Sequence, residues 1–523
     1  MRPEAETIPA LLSLRGDVEG DARAVVTAND SVTYAELNRV STGVASRLVA
    51  DGVVKGDRVA LLAPNGVECA IIAYAVLRIG AGLVPLSTLL RPPELLAQIT
   101  SASVSTLLII PEFRNRQYDK DLEHAVPGLA SAMRSRRRHP SAPSLRRLWP
   151  IDALPLRSAP EAMVHALEAR VRPADDLTVL FTSGSRGAPK GVIHTHGAAL
   201  RAVAAGLEAR CVGRDERLYI PMPLFWTGGL AGGLLTALVA GATLLTEAEP
   251  EPSGTLELLQ REHVTLFRGW PDQARRLAAH PAFAEADLSS LRDGSLGALL
   301  PPERRPAPEA RPNLFGMTET FGPYCGDRLD TDLPAAKFGS CGRPFADIDV
   351  RIVEPETGTE LPAGRQGEIW LRGPNLLRGI CGRVRSSVFT ADGSYRTGDL
   401  GRLDEDGYLW YIGRMDDMVK VKGATVYPSE VEAALLSLDA VRQAYVTDIA
   451  AAVGPREVGA LVVSNASVEA IHGAVRDRLS AFKVPTRWLV TDESEVVPLL
   501  ASGKVDKTAL QCLLQDEGRP PRS

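Results

Sequence analysis

The segment Phe181-Thr182-Ser183-Gly184-Ser185-Arg186-Gly187-Ala188-Pro189-Lys190-Gly191 gathers small hydroxyl residues, glycines and one lysine into a short loop. The run Leu177-Thr178-Val179-Leu180-Phe181 before it reads as a strand. The glycines therefore fall where backbone N–H groups can turn toward an anion with no Cβ in the way. Thr182, Ser183 and Ser185 add hydroxyl donors and Lys190 a point charge, which together make a cradle for a phosphate chain. Gly184 and Gly187 do not sit in G-x-x-x-x-G-K-[ST] register and Pro189 precedes the lysine, so a generic P-loop ATPase is disfavoured. A Gly- and Ser-rich surface loop has the same composition, and other segments must decide between the two readings.

Four further segments carry groups suited to a nucleotide. Asn313-Leu314-Phe315-Gly316-Met317-Thr318-Glu319 offers a π-face for a base and a hard carboxylate for magnesium. Tyr395-Arg396-Thr397-Gly398-Asp399 ends on an acceptor-only carboxylate, which suits a diol that can donate twice. Gly413-Arg414-Met415-Asp416-Asp417-Met418-Val419-Lys420-Val421-Lys422-Gly423 leads into Tyr427-Pro428-Ser429-Glu430, which reads as a helix start. Pro498-Leu499-Leu500-Ala501-Ser502-Gly503-Lys504 closes the series with a lysine able to stabilise developing charge.

Taken in order, these segments resemble the motifs of the adenylate-forming (AMP-binding) superfamily, which includes acyl-CoA synthetases, adenylation domains of peptide synthetases and luciferases. The chain is most like the acyl-CoA synthetases, or fatty-acid–CoA ligases. Its loop keeps T-S-G-[ST]-T-G-x-P-K-G except for Arg186 in place of the second threonine, and Phe315 replaces the tyrosine of Y-G-x-T-E. The resemblance implies that Thr182, Ser183, Gly184, Ser185, Arg186, Gly187 and Lys190 hold the β- and γ-phosphates of ATP. Arg186 would either contact pyrophosphate or face solvent. By the same resemblance Phe315 and Gly316 meet adenine, Thr318 the α-phosphate, Glu319 a Mg²⁺ ion, Asp399 both ribose hydroxyls, and Arg414 the ribose or a phosphate. Lys504 would reach the carboxylate and α-phosphate, with Lys420, Thr318 and Glu319 as further catalytic residues. Asp416 would be the pivot about which a C-terminal domain swings, bringing Lys422 and Gly423 to a pantetheine tunnel.

The implied reaction has two steps. A carboxylate attacks the α-phosphorus of Mg·ATP to give acyl-AMP and pyrophosphate, and the thiol of coenzyme A then displaces AMP. Alignment and charge stabilisation by Lys190, Lys504 and Mg²⁺ carry the first step without a covalent nucleophile. A free-standing acyl carrier protein is the alternative thiol, and a nucleotide-binding homologue without catalysis is the alternative class. That second alternative is motivated by Arg186, by Leu296-Gly297-Ala298-Leu299-Leu300 where the family has a Gly-Gly-Ala-like run, and by a short 301–313 segment.

Amino-acid-activating relatives usually place an aspartate after the phenylalanine of the segment Pro223-Leu224-Phe225-Trp226-Thr227-Gly228-Gly229, to pair with an α-ammonium. Here that position is Trp226, so an acid without an α-amino group is favoured. Phe225, Trp226, Gly228 and Trp270 are the expected acyl-pocket residues, and core packing is the competing reading for the tryptophans.

The elements that position these groups follow from apolar patterning. Over 24–110 helical patterns alternate with β-rich runs such as Arg58-Val59-Ala60-Leu61-Leu62-Ala63 and Thr106-Leu107-Leu108-Ile109-Ile110, as in an α/β fold. The Arg- and Pro-rich stretch 134–160 reads as an irregular connection, a second α/β block follows it, and 348–410 reads as a small β-subdomain. The expected architecture is α/β: a large N-terminal adenylation domain over 1–413 with two α/β layers and a β-subdomain, a hinge at 414–416, and a small mobile α+β domain over 417–523.

With 523 residues, 45% of them hydrophobic, and a net charge of −5, the chain reads as a multidomain globular protein with no reason to bind nucleic acid. The uncharged stretch 228–245 nearly reaches membrane-spanning length, but Gly241 breaks it, so a buried helix followed by a strand is expected. Six scattered cysteines without a C-x-x-C pair, and an acidic start Met1-Arg2-Pro3-Glu4-Ala5-Glu6, point to a reduced, cytoplasmic protein.

Overall fold

Runs such as Val59-Ala60-Leu61-Leu62 are apolar at every position, as suits a strand covered on both faces, and Val59 and Leu61 enter one core while Ala60 and Leu62 enter another. The computed structural model describes residues 4–135, 137–182, 189–415, 419–421, 424–450, 456–476, 478–479, 481, 483–500 and 504–521, with 419–421 and 424–425 described for their backbone. It builds these runs into two sheets with helices on both faces. The seven-stranded sheet has the spatial order Gly379–Ile380, Lys190–Thr195, Asp176–Thr182, Gly82–Leu86, Arg58–Leu62, Thr106–Ile109 and Arg147–Pro150. Its five strands from Asp176–Thr182 to Arg147–Pro150 pair in parallel, and the first two pairings are antiparallel.

The five-stranded sheet runs Leu266–Phe267, Arg217–Tyr219, Thr243–Leu245, Arg23–Val26 and Ser31–Thr33. Helices Ile8–Val18, Tyr34–Ala50, Val67–Arg78 and His196–Ala205 share one core with strands of both sheets, Leu61 and Leu83 from one and Val25 and Leu244 from the other. The second of these helices starts at a capping box: Thr33 Oγ1 accepts from the Glu36 N–H at 3.2 Å and Glu36 Oε2 from the Thr33 N–H at 3.0 Å. Helices Pro92–Ser101 and Tyr118–Ala125 cover the far face of the larger sheet, and Pro252–Arg261 and Pro271–Ala278 that of the smaller.

Two sequence expectations meet different outcomes. Residues 228–245 form helical turns that end at Gly241, with φ 72°, and then the strand Thr243–Leu245; no helix among the described residues is long and apolar enough to cross a membrane. The stretch 134–160, by contrast, is not wholly irregular. Arg147–Pro150 adds an edge strand beside Thr106–Ile109, anchored by Arg147 Nε donating to the Asp51 carbonyl at 2.7 Å and Trp149 Nε1 to Asp51 Oδ2 at 2.8 Å. Its flanking arginines and terminal proline hide the strand pattern, and a proline is tolerated at the end of an edge strand.

The chain divides into two compact units, Met1–Asp349 with Arg372–Ser394, and Val350–Leu371 with Tyr395–Ser523. The second holds a four-stranded sheet of Asp349–Val353, Gly367–Arg372, Tyr395–Leu403 and Leu409–Arg414. It also holds a three-stranded sheet, in which Val441–Ile449 and Glu457–Ser464 are antiparallel and Arg487–Thr491 is added in parallel. Helices Pro428–Leu436 and Val468–Arg476 pack on one face of that sheet and Lys507–Asp516 on the other.

Candidate functional site

Strands Asp176–Thr182 and Lys190–Thr195 form a hairpin in which Thr182 and Lys190 are opposite one another. Ser183, Gly184, Ser185, Arg186 and Gly187 lie between them, outside the described residues. Four residues beyond Lys190 on the same strand is His194, fully buried, whose Nε2–H donates to the Thr318 carbonyl at 2.7 Å. Because a carbonyl can only accept, this bond sets the tautomer. Burial pushes the imidazole down to about 4, so it is neutral at physiological pH. The ring also packs on Phe321, centroids 4.8 Å apart.

The Thr318–Thr320 turn that His194 supports is held on several sides. Thr320 Oγ1 donates to the Gly322 carbonyl at 2.6 Å and receives the Met317 N–H at 3.1 Å, while the Leu377 N–H donates to the Glu319 carbonyl at 2.8 Å. The turn exits through two left-handed residues, Phe321 at φ 56° and Gly322 at φ 121°. Thr318 is half-buried and Glu319 buried. Thr227 Oγ1 donates to Thr318 Oγ1 at 3.1 Å, so the helical stretch 227–240 begins against this turn.

Phe315 meets Tyr324 edge-on with centroids 5.6 Å apart, across the strand pair Phe315–Met317 and Gly322–Gly326. A Cβ at Gly316 would overlap the Gly322 carbonyl and Pro323 Cα, so this strand pair closes only around a glycine. Phe225, Trp226 and Trp270 form an edge-to-face series with spacings of 5.3 and 6.1 Å. Phe225 is buried and Trp226 half-buried, whereas Trp270 is 45% exposed and not core. Gly228 is half-buried, and a Cβ there would press on Met222.

The second unit brings together another predicted pair. Asp399 and Arg414 are register partners on neighbouring antiparallel strands, and Asp399 is buried. Beside them Glu368, also buried, accepts from Arg396 Nη2 at 2.8 Å, Trp370 Nε1 at 2.9 Å and the Gly398 N–H at 3.3 Å. Lys504 is exposed, and its carbonyl accepts from the Leu500 N–H at 2.7 Å. The backbone of Lys420 pairs with Thr425 in the hairpin Val419–Val421 and Ala424–Val426. Asp416, Lys422 and Gly423 lie outside the described residues.

Sequence reasoning missed His194, Thr227 and Glu368. His194 carries no motif of its own and Thr227 stands unremarked within the 223–229 segment, whereas Glu368 is an ionisable residue inside the apolar strand Gly367–Arg372, a visible signal.

A family model described as AMP-binding enzyme matches residues 14–381. A feruloyl-CoA synthase of an Amycolatopsis species is 32% identical over 507 residues, covering 94% of this chain and 96% of that one. The long-chain-fatty-acid–CoA ligase FadD13 of Mycobacterium tuberculosis is 29% identical over 96% of this chain and 97% of its own. Among solved structures, the O-succinylbenzoate coenzyme A synthetase MenE of Bacillus subtilis in complex with AMP aligns with a TM-score of 0.76 and 25% identity, covering 98% of this chain and 99% of that one.

Proposed function

The chain belongs to the AMP-binding enzyme family, and from that premise we propose that it is an AMP-forming acid–thiol ligase. It converts a carboxylic acid without an α-amino group to acyl-AMP and then to the coenzyme A thioester, releasing pyrophosphate and AMP. The observation that carries the reading is the bond from His194 to Thr318, which ties the strand beginning at Lys190 to the turn bearing Thr318 and Glu319. Lys190 and the Thr318 hydroxyl then act on one phosphate chain, with the Thr227 hydroxyl bonded to that of Thr318.

Phe315 presents its ring to adenine, braced by Tyr324, and Asp399 takes the ribose hydroxyls while Arg414 fixes its carboxylate. Among the described residues no group of three or more His, Cys, Asp or Glu could hold a metal ion by itself. Glu319 supplies one hard carboxylate, which fits a Mg²⁺ shared with substrate phosphates and not one caged by protein. When bound, that ion neutralises phosphate charge. Lys504 steadies the charge that develops as the carboxylate attacks. The domain carrying Lys504 pivots at Asp416, within 414–416, to bring Lys422 and Gly423 to the thiol for the second step. Trp226, standing where an amino-acid ligase needs a carboxylate, excludes an α-ammonium. Six cysteines outside any disulfide, four of them buried, fit a reducing cytoplasmic setting.

Pyrophosphate release with Mg·ATP, measured over fatty, aryl and amino acids with and without coenzyme A, tests the proposal. Release that requires a fatty or aryl acid and accelerates with coenzyme A is expected. Acceleration only by a phosphopantetheinylated carrier protein would move the acceptor assignment, and silence with every acid while ATP still binds would overturn the ligase reading.

A further inference from the structure

The ladder between Gly367–Arg372 and Tyr395–Leu403 is interrupted where Asp399 stands. Glu368 is opposite Leu400 and Trp370 opposite Arg396, so Ile369 alone faces Thr397, Gly398 and Asp399. On the other side of the same strand Asp399 and Leu400 keep their partners Arg414 and Gly413. A bulge of this kind takes ladder partners from the inserted residues and re-aims their side chains. Here side chains supply the missing partners. Thr397 Oγ1 donates to the Ile369 carbonyl at 2.7 Å and accepts from the Asp399 N–H at 3.0 Å, while the Gly398 N–H donates to Glu368 Oε1 at 3.3 Å. Gly398 is left-handed, with φ 72°, and a Cβ on it would stand 3.2 Å from Arg414 Nη2.

Glu368 is 2% exposed, and every group bonded to it is a donor. Besides Gly398, its Oε2 accepts from Arg396 Nη2 at 2.8 Å, Arg396 Nε at 3.1 Å and Trp370 Nε1 at 2.9 Å. A carboxylate, acceptor-only at both oxygens, fits this set, whereas a glutamine of the same shape would turn an NH₂ group against a donor. Stability gives a weak reason for such a residue. A buried carboxylate in an apolar strand loses hydration, and its ion-pair partner Arg396 is half in water, so an apolar pair in their place would be no less stable. What the carboxylate does uniquely is hold the Gly398 N–H, next to Asp399 in the chain, from the neighbouring strand.

We infer that Glu368 is a positioning residue for nucleotide binding: it fixes the Thr397–Asp399 bulge in the shape that presents the Asp399 carboxylate to both ribose hydroxyls. The inference rests on the reading above of Asp399 as the ribose acceptor. One carboxylate meets two hydroxyls at once only if it is held to within about 0.5 Å. Without Glu368 the left-handed Gly398 is free to turn, and the carboxylate beside it turns too.

The test is isothermal titration calorimetry of ATP, 2′-deoxy-ATP and 3′-deoxy-ATP against wild type, Glu368→Gln, Glu368→Asp and Trp370→Phe, with urea midpoints alongside. Wild type is expected to prefer ATP over each deoxy analogue by at least about tenfold, and Glu368→Gln to shrink both ratios to about threefold or less. Glu368→Asp, which keeps the charge but is one methylene shorter, should give intermediate ratios, and it decides the matter where Glu368→Gln does not fold. Trp370→Phe strips one donor from Glu368 but leaves its bonds to Gly398 and Arg396, so the midpoint should fall while the ratios stay. Ratios unchanged in both Glu368 variants, or collapsing equally in Trp370→Phe, would overturn the inference and leave the ribose reading intact. Wild type that binds the three nucleotides alike would overturn the ribose reading itself. The expected ratios with no pyrophosphate from any acid would keep the inference and overturn the ligase.

Discussion

Arg414 Nη1 stands 2.9 Å from Asp399 Oδ1, closing an ion pair across two antiparallel strands with the Asp399 side chain 6% exposed. The same guanidinium reaches the Thr397 carbonyl at 3.4 Å. Thr397 Oγ1 takes the Asp399 N–H at 3.0 Å and donates to the Ile369 carbonyl at 2.7 Å. The carboxylate is thus aimed by its own strand and by both neighbouring strands.

Asp399→Ala is expected to weaken ATP binding by about ten- to a hundredfold, since hydrogen bonds to a charged group contribute about 1.5–3 kcal/mol. Isothermal titration calorimetry of ATP is the check, and Arg414→Met should show a smaller loss of the same kind. An unchanged Kd for Asp399→Ala would remove the ribose assignment.

Lys504→Ala is expected to slow acyl-AMP formation by roughly 10²–10³-fold, the cost typical of removing one donor aimed at developing charge. Single-turnover measurement of the two half-reactions should show thiolysis of supplied acyl-AMP largely spared. Near wild-type adenylation would end the catalytic assignment of this lysine.

Gly316→Ala forces a methyl into the Gly322 carbonyl and Pro323 Cα. Overpacking of this kind destabilises by about 1–3 kcal/mol. The urea midpoint should fall accordingly and ATP affinity with it, because the Phe315 ring moves off Tyr324. A midpoint equal to wild type would show that the strand pair tolerates a side chain.

Acid should destabilise the protein in a defined window. Burial pushes both His194 and His196 down to about 4 from an ordinary 6.5, so between these values the unfolded chain binds more protons than the fold. Their stabilisation is complete above about pH 6.5 and is lost as pH falls toward 4. Denaturant midpoints measured from pH 7 to pH 4.5 should decline, and less steeply for His194→Gln, whose amide keeps a donor for the Thr318 carbonyl. An identical slope in that variant would show that His194 does not titrate with unfolding.

The sequence by itself determined the residue types of the phosphate loop, the Phe315–Glu319 segment and Tyr395–Asp399, and the α/β alternation that carries them. These are legible because each is local: a glycine that must lack a Cβ, a carboxylate that must accept, or an apolar run with strand or helix period is written in consecutive residues. The edge strand Arg147–Pro150 was not legible, because its partner Thr106–Ile109 and its anchor Asp51 lie far away in the chain. Tertiary structure alone decided that His194 supports Thr318, that Trp270 is exposed, and that Arg210, unlike Arg15 and Arg78, is buried without an ion pair among the described residues. Desolvation and the presence or absence of a counter-ion depend on neighbours brought in from distant segments, and no local pattern of residues encodes them.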